Sequence, residues 1–92
     1  MLTNTNIKTM ITEKLSQLSP EILEVEDQRR RHKGHEGVGH YGLLIVSNAF
    51  SGLSLLERHR SIYKQLGELM GKEVHALQIK AYTPEEWASR QY

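Results

Sequence analysis

Five histidines and no cysteine bound the chemistry open to this 92-residue chain. His75 stands at the head of an apolar segment, Val74-His75-Ala76-Leu77. A neutral imidazole at a strand end can face solvent and take a metal ion. On spacing alone, a single histidine in that place is more often an ordinary surface residue. His32 and His35 lie in a polar stretch, residues 28–39, that holds Gly34, Gly37 and Gly39. A glycine-bearing loop can swing an imidazole toward a metal held elsewhere, and the bland alternative is a solvated loop. Three histidines from two segments would also bind zinc or copper without specificity. The absence of cysteine excludes disulfides and thiolate catalysis, and it permits a reducing cytoplasm.

Cationic residues form the second chemical theme. Arg29, Arg30, Arg31, His32 and Lys33 make one run, and Arg58-His59-Arg60 a second. Either could meet phosphate or an acidic protein surface. Yet 12 basic residues against 11 acidic ones leave a formal net charge of only +1, a poor footprint for a protein that lives on nucleic acid. His59 falls four residues after Leu55 and three before Ile62, which reads as a core-edge histidine between helix and sheet rather than a ligand. There is no Ser–His–acid arrangement, no phosphate-binding glycine loop and no H-E-x-x-H helix. The expectation is a binding protein, not an enzyme.

The elements that must position these residues follow from periodicity. Ile7, Met10, Ile11, Leu15 and Leu18 recur at helical spacing, and Pro20 ends that helix. Ile22 to Asp27 alternates as a strand, with Leu23 and Val25 on one face and Glu24 and Glu26 on the other. Tyr41 to Ser47 is apolar on both faces through Leu43-Leu44-Ile45-Val46, which predicts the central strand. Asn48 to Gly52 is a turn. Ser54 and Glu57 form a capping box for a long helix with a stripe of Leu55, Leu56, His59, Ile62, Tyr63, Leu66, Leu69 and Met70, stopped by Gly71. Val74 to Tyr82 is a third strand. Thr83, Pro84 and Glu86 open a last helix, which Trp87 is expected to pin to the core.

The order helix, strand, strand, helix, strand, helix predicts an α+β two-layer sandwich with a three-stranded mixed sheet and helices on one face, with room for a short extra helical turn before the long helix. The first two strands pair antiparallel, and the long helix makes the third parallel to a neighbour. At this length residues 1–92 form one domain. No apolar run approaches the roughly 20 residues of a membrane helix. Met1 to Met10 lacks a basic start followed by an apolar stretch, so no secretory signal is expected and the predicted location is cytoplasmic.

Phe50-Ser51-Gly52, Glu57-Arg58-His59-Arg60 and Ile62-Tyr63 match the FxG…RHRxxY segment of the BolA-like family. His75-Ala76-Leu77 and Tyr82-Thr83-Pro84-Glu85-Glu86-Trp87 match its HAL…TPxEW end, and Val25-Glu26-Asp27 and Val46-Ser47 match its earlier strands. Over residues 7–88 the chain resembles that family. Gln28-Arg29-Arg30-Arg31 departs from its usual serine-containing turn and makes the loop more basic.

The resemblance implies a fold similar to a class II KH domain. It implies binding to a monothiol glutaredoxin, with a [2Fe–2S] cluster shared among a glutaredoxin cysteine, glutathione and histidines of this chain, and no cofactor on the chain alone. His75 matches the family's ligand at the last strand. His32 matches the loop ligand by distance from the first strand, and His35 by the form His32-Lys33-Gly34-His35; the choice between them stays open. The functions implied are iron–sulfur trafficking and iron homeostasis. The alternative is a DNA-binding regulator of stress and cell shape, using Arg29 to Arg31 and Lys33 with Arg58 and Arg60. KH domains grip nucleic acid through a GxxG loop, which Gly52-Leu53-Ser54-Leu55 does not reproduce, so DNA binding is expected to be weak. No membrane partner is expected, and the chain is expected to be a monomer alone, with homodimer formation left open.

Overall fold

The most apolar strand sits in the middle. A computed structural model describes residues 4–28 and 38–90. In it β2 (His40–Val46) lies between β1 (Ile22–Asp27) and β3 (Ala76–Tyr82). β1 runs antiparallel to β2, with Leu23 opposite Ile45 and Val25 opposite Leu43. β3 runs parallel to β2, with Leu43 opposite Ile79 and Ile45 opposite Ala81. The helices are α1 (Asn4–Leu15), α2 (Leu55–Leu66) and α3 (Pro84–Arg90). The αββαβα order and mixed sheet agree with the expectation, and the extra helical turn before α2 is a 3₁₀ turn at Asn48–Phe50. Among the described residues, no helix is long and apolar enough to cross a membrane.

One core joins the two layers. Ile7, Ile11 and Leu15 of α1 meet Ile62 and Leu66 of α2 over Tyr41, Leu43 and Ile45 of β2. Each such apolar side chain contributes about 1.5–3 kcal/mol on burial. Ser47 ties the layers together at the end of β2: its hydroxyl donates to the Leu18 carbonyl at 2.5 Å and accepts the Ala49 N–H at 3.0 Å. Both predicted capping boxes form. Ser54 Oγ accepts the Glu57 N–H while Glu57 accepts the Ser54 N–H, and Thr83 and Glu86 do the same for α3.

Two boundaries and one helix face differ from the sequence reading. α2 ends at Leu66, because Gly67 already takes positive φ (54°); a 3₁₀ turn, Gly67–Leu69, then carries Leu69 into the core. β3 starts at Ala76 rather than Val74, since Val74 bridges back to Met70 and not to β2. The inward face of α2 is also rotated from the predicted stripe. It consists of Arg58, Ile62 and Leu66, while Leu55 is 66% exposed and Leu56 58%. The capping box sets where the helix begins, and the i, i+4 repeat from Arg58 then faces the sheet.

Candidate functional site

The backbones of His75 and His40 lie at the same end of the sheet. β2 and β3 are parallel, so their starts lie side by side, and His40 pairs in register with Ala76. The His75 N–H donates to the Gly39 carbonyl at 2.8 Å, and the Ala76 N–H reaches the same oxygen at 3.3 Å. Gly39 has φ +80°, and a Cβ there would lie 2.3 Å from Cδ2 of His75. The imidazole therefore rests on the bare glycine backbone, in a place that any side chain would take. His75 is exposed and His40 half-buried.

These donors suit a shared site better than a closed one. Among the described residues, no group of three or more His, Cys, Asp or Glu is placed to hold a metal ion. A closed structural zinc site needs four ligands, whereas an exposed imidazole such as that of His75 at a sheet end can complete a coordination sphere begun by another molecule. His40 escaped the sequence reading. Its signal was topological: if the second and third strands are parallel, the residue that starts one neighbours the residue that starts the other. His32 and His35, with Arg29, Arg30, Arg31 and Lys33, lie outside the described residues.

The Arg58 cluster requires a correction. Read as a surface contact for phosphate or partner, Arg58 is instead 7% exposed. Its Nε donates to the Leu53 carbonyl at 3.0 Å, and one terminal nitrogen donates to the Ala81 carbonyl at 3.1 Å. Both terminal nitrogens reach the Glu86 carboxylate, at 2.6 and 3.0 Å, and the guanidinium carbon lies 6.0 Å from the centre of the Phe50 ring. A buried cation needs this full set of partners. The hydrogen bonds from Arg58, then the Thr83 N–H, hold the Glu86 carboxyl down to about 2, and Glu86 in turn raises Arg58. Arg60 remains exposed.

His59 keeps an edge position, whereas Trp87 sits differently from expectation. His59 is half-buried on the flank of α2, because Arg58 takes the inward position. Trp87 does not reach the central core. It packs at a tilt of 51° against Tyr82, with ring centres 5.6 Å apart, and carries the Arg90 guanidinium 4.4 Å from its own centre. Trp87 and Arg90 border the sheet face opposite α1 and α2.

Comparison with known proteins agrees with this architecture. The family model described as BolA-like protein matches residues 15–86. BolA-like protein 1 of Homo sapiens is 41% identical over 83 residues, which cover 88% of this chain and 61% of that protein. The chain thus spans about three fifths of the human relative. The DNA-binding transcriptional regulator BolA of Escherichia coli is 40% identical over 87 residues, covering 92% of this chain and 83% of that protein. The solved BolA domain of SufE1 from Arabidopsis thaliana is 46% identical with a TM-score of 0.79, covering 94% of this chain and 99% of that one. On the matched span, the identities and the shared αββαβα fold, the chain belongs to the BolA-like family.

Proposed function

We propose that the chain is an adaptor that docks on a monothiol glutaredoxin and lends imidazoles to a [2Fe–2S] cluster held between the two proteins with glutathione, in iron–sulfur trafficking or iron homeostasis in the cytoplasm. The observation that carries the reading is the exposed His75 imidazole, seated on Gly39 beside His40 in a chain with no cysteine. His75 is the first ligand of this proposal, His40 a second candidate, and His32 or His35 the loop contribution. Imidazole ligation on one iron is compatible with such a cluster, the thiolates coming from the partner. This chain's own task is to hold its imidazoles in place, through the Gly39 contact and the parallel register of β2 and β3. The test is to mix the purified chain with cluster-loaded glutaredoxin and record visible absorption and circular dichroism. A new spectrum is expected, altered by His75→Ala with the apo fold intact. No spectral change on mixing, or the same spectrum and cluster lifetime with His75→Ala, overturns the reading.

A second reading is favoured by the Escherichia coli relative, whose name describes a DNA-binding transcriptional regulator. With Arg58 committed to Glu86, that role would fall to Arg60 and to Arg29, Arg30, Arg31 and Lys33. Affinity for DNA at physiological salt is then expected on the order of 10⁻⁴–10⁻⁶ M, with a log–log salt slope of about −0.9 per phosphate neutralised. Submicromolar, sequence-selective DNA binding without a glutaredoxin complex would establish the regulator instead.

A further inference from the structure

The core takes the odd-numbered residues of all three strands. Alternation therefore turns the even-numbered ones to the opposite face, among them Glu24, Glu26, Gly42, Leu44, Gln78 and Lys80. These six, with Trp87 and Arg90 as a wall, line a shallow cavity of about 330 Å³. Register arranges them in rows: Glu24, Leu44 and Lys80 stand side by side across the sheet, and Glu26, Gly42 and Gln78 form the next row. Gln28 lies over Gly42 and donates to Gln78 at 2.8 Å, which gives the floor a satisfied polar patch.

The charges on this face are split. The β1 side is acidic through the exposed Glu24, the β3 side is basic through Lys80 and Arg90, and Leu44 marks the midline. Glu24 and Lys80 are two strand spacings apart, about 10 Å, too far to neutralise each other, and neither has an ion-pair partner among the described residues. A uniformly basic or acidic partner would meet repulsion over half of this surface, and a nucleic acid would meet Glu24. A surface with the same split in mirrored order fits, and this chain carries one.

Symmetry decides how two copies would meet. A two-fold axis across the strands lays β1 on β1 and sets acid against acid. An axis along β2 lays each β1 on the other copy's β3 and sets Leu44 against Leu44. We infer that the chain self-associates through this open sheet face as an isologous dimer with β2 over β2, the strands of the two copies running parallel, and Glu24 of each copy meeting Lys80 of the other. Three strands of about seven residues give a footprint of about 320 Å² per copy. The pair thus buries well under the roughly 1,200 Å² of a standard interface, so the dimer is weak and forms only at high concentration. It does not depend on the glutaredoxin reading.

The experiment is sedimentation equilibrium on the full chain from about 10 μM to about 1 mM, the range a marginal interface requires. All the substituted side chains are exposed, so the fold is expected to persist, and circular dichroism checks this. Glu24→Lys alone and Lys80→Glu alone are each expected to weaken self-association at least tenfold. Mixing the two single variants is expected to restore association between them, because each then faces its opposite charge, and combining both changes in one chain is expected to restore self-association. A monomer at every concentration overturns the inference, as does a dimer indifferent to both single variants or a mixture that associates no better than its components.

Discussion

Replacing Arg58 by methionine separates a buried brace from a surface cation. Methionine keeps the unbranched stem and much of the volume, so the cavity left behind is small. What disappears is the set of charged hydrogen bonds. The bond to the Ala81 carbonyl is buried and that to Leu53 partly so; hydrogen bonds to charged groups contribute about 1.5–3 kcal/mol each, and a stranded buried acceptor carries its own penalty. Glu86 regains water, since its side chain is 46% exposed, and the folded chain no longer has a cation to desolvate. Balancing these, Arg58→Met should destabilise the domain by about 3 kcal/mol, with the Ala81 carbonyl dominating. For a domain of this size that lowers Tm by roughly 12–24 °C. Arg58→Lys keeps the charge but not the planar fork, and should fall between the two. Thermal unfolding followed by circular dichroism at neutral pH reads the effect. A Tm within experimental scatter of the parent, with nucleic-acid or partner binding lost, would show that Arg58 is a contact residue and that the brace does not form.

The same brace predicts an acid response. Glu86 falls to about 2 in the folded chain against 4.5 unperturbed, so its contribution is present above about 4.5 and is lost as pH drops toward 2; Glu86→Gln should be less stable than the parent at neutral pH, and the two stability–pH curves should converge over that interval, whereas parallel curves would refute the assignment. Gly39→Ala combines positive φ with a Cβ in the space of the His75 ring; it should cost at least about 1–2 kcal/mol and shift the His75 ring resonances, and unchanged resonances would remove Gly39 as the seat of the imidazole. His59→Ala, on the flank of α2, should cost less than about 1 kcal/mol; a loss of several kcal/mol in chemical unfolding would place His59 in the packed interior after all.

Local signals carried most of the architecture. The alternation at Leu23 and Val25, the two-faced run from Leu43 to Val46 and the capping boxes at Ser54 and Thr83 each announce their element, because each depends on neighbours in the chain. The face of α2 did not follow in the same way. Leu55 and Leu56 suggested the inward stripe by hydrophobicity, but the guanidinium of Arg58 finds acceptors on β3 and α3 that only the folded chain assembles. A buried arginine reads in sequence as a surface one until its partners are known. The place of His40 was hidden for the same reason: it depends on which strands are parallel and in what register. Trp87 was expected to pin α3 to the core, and its position against Tyr82 depends on how α3 leaves the sheet.

The distant brace and the histidine pair are linked through β3. That strand has one strand neighbour, β2, so its register rests on one ladder and on whatever grips its ends. Arg58 grips the far end at the Ala81 carbonyl, while the Gly39 carbonyl takes the amides of His75 and Ala76 at the near end. A slip of one residue would turn Leu77, Ile79 and Ala81 onto the open face, and it would carry His75 off Gly39. The two motif segments that meet at Arg58 and Glu86 therefore serve the imidazoles without touching them. They fix the strand whose first residues hold His75 in place.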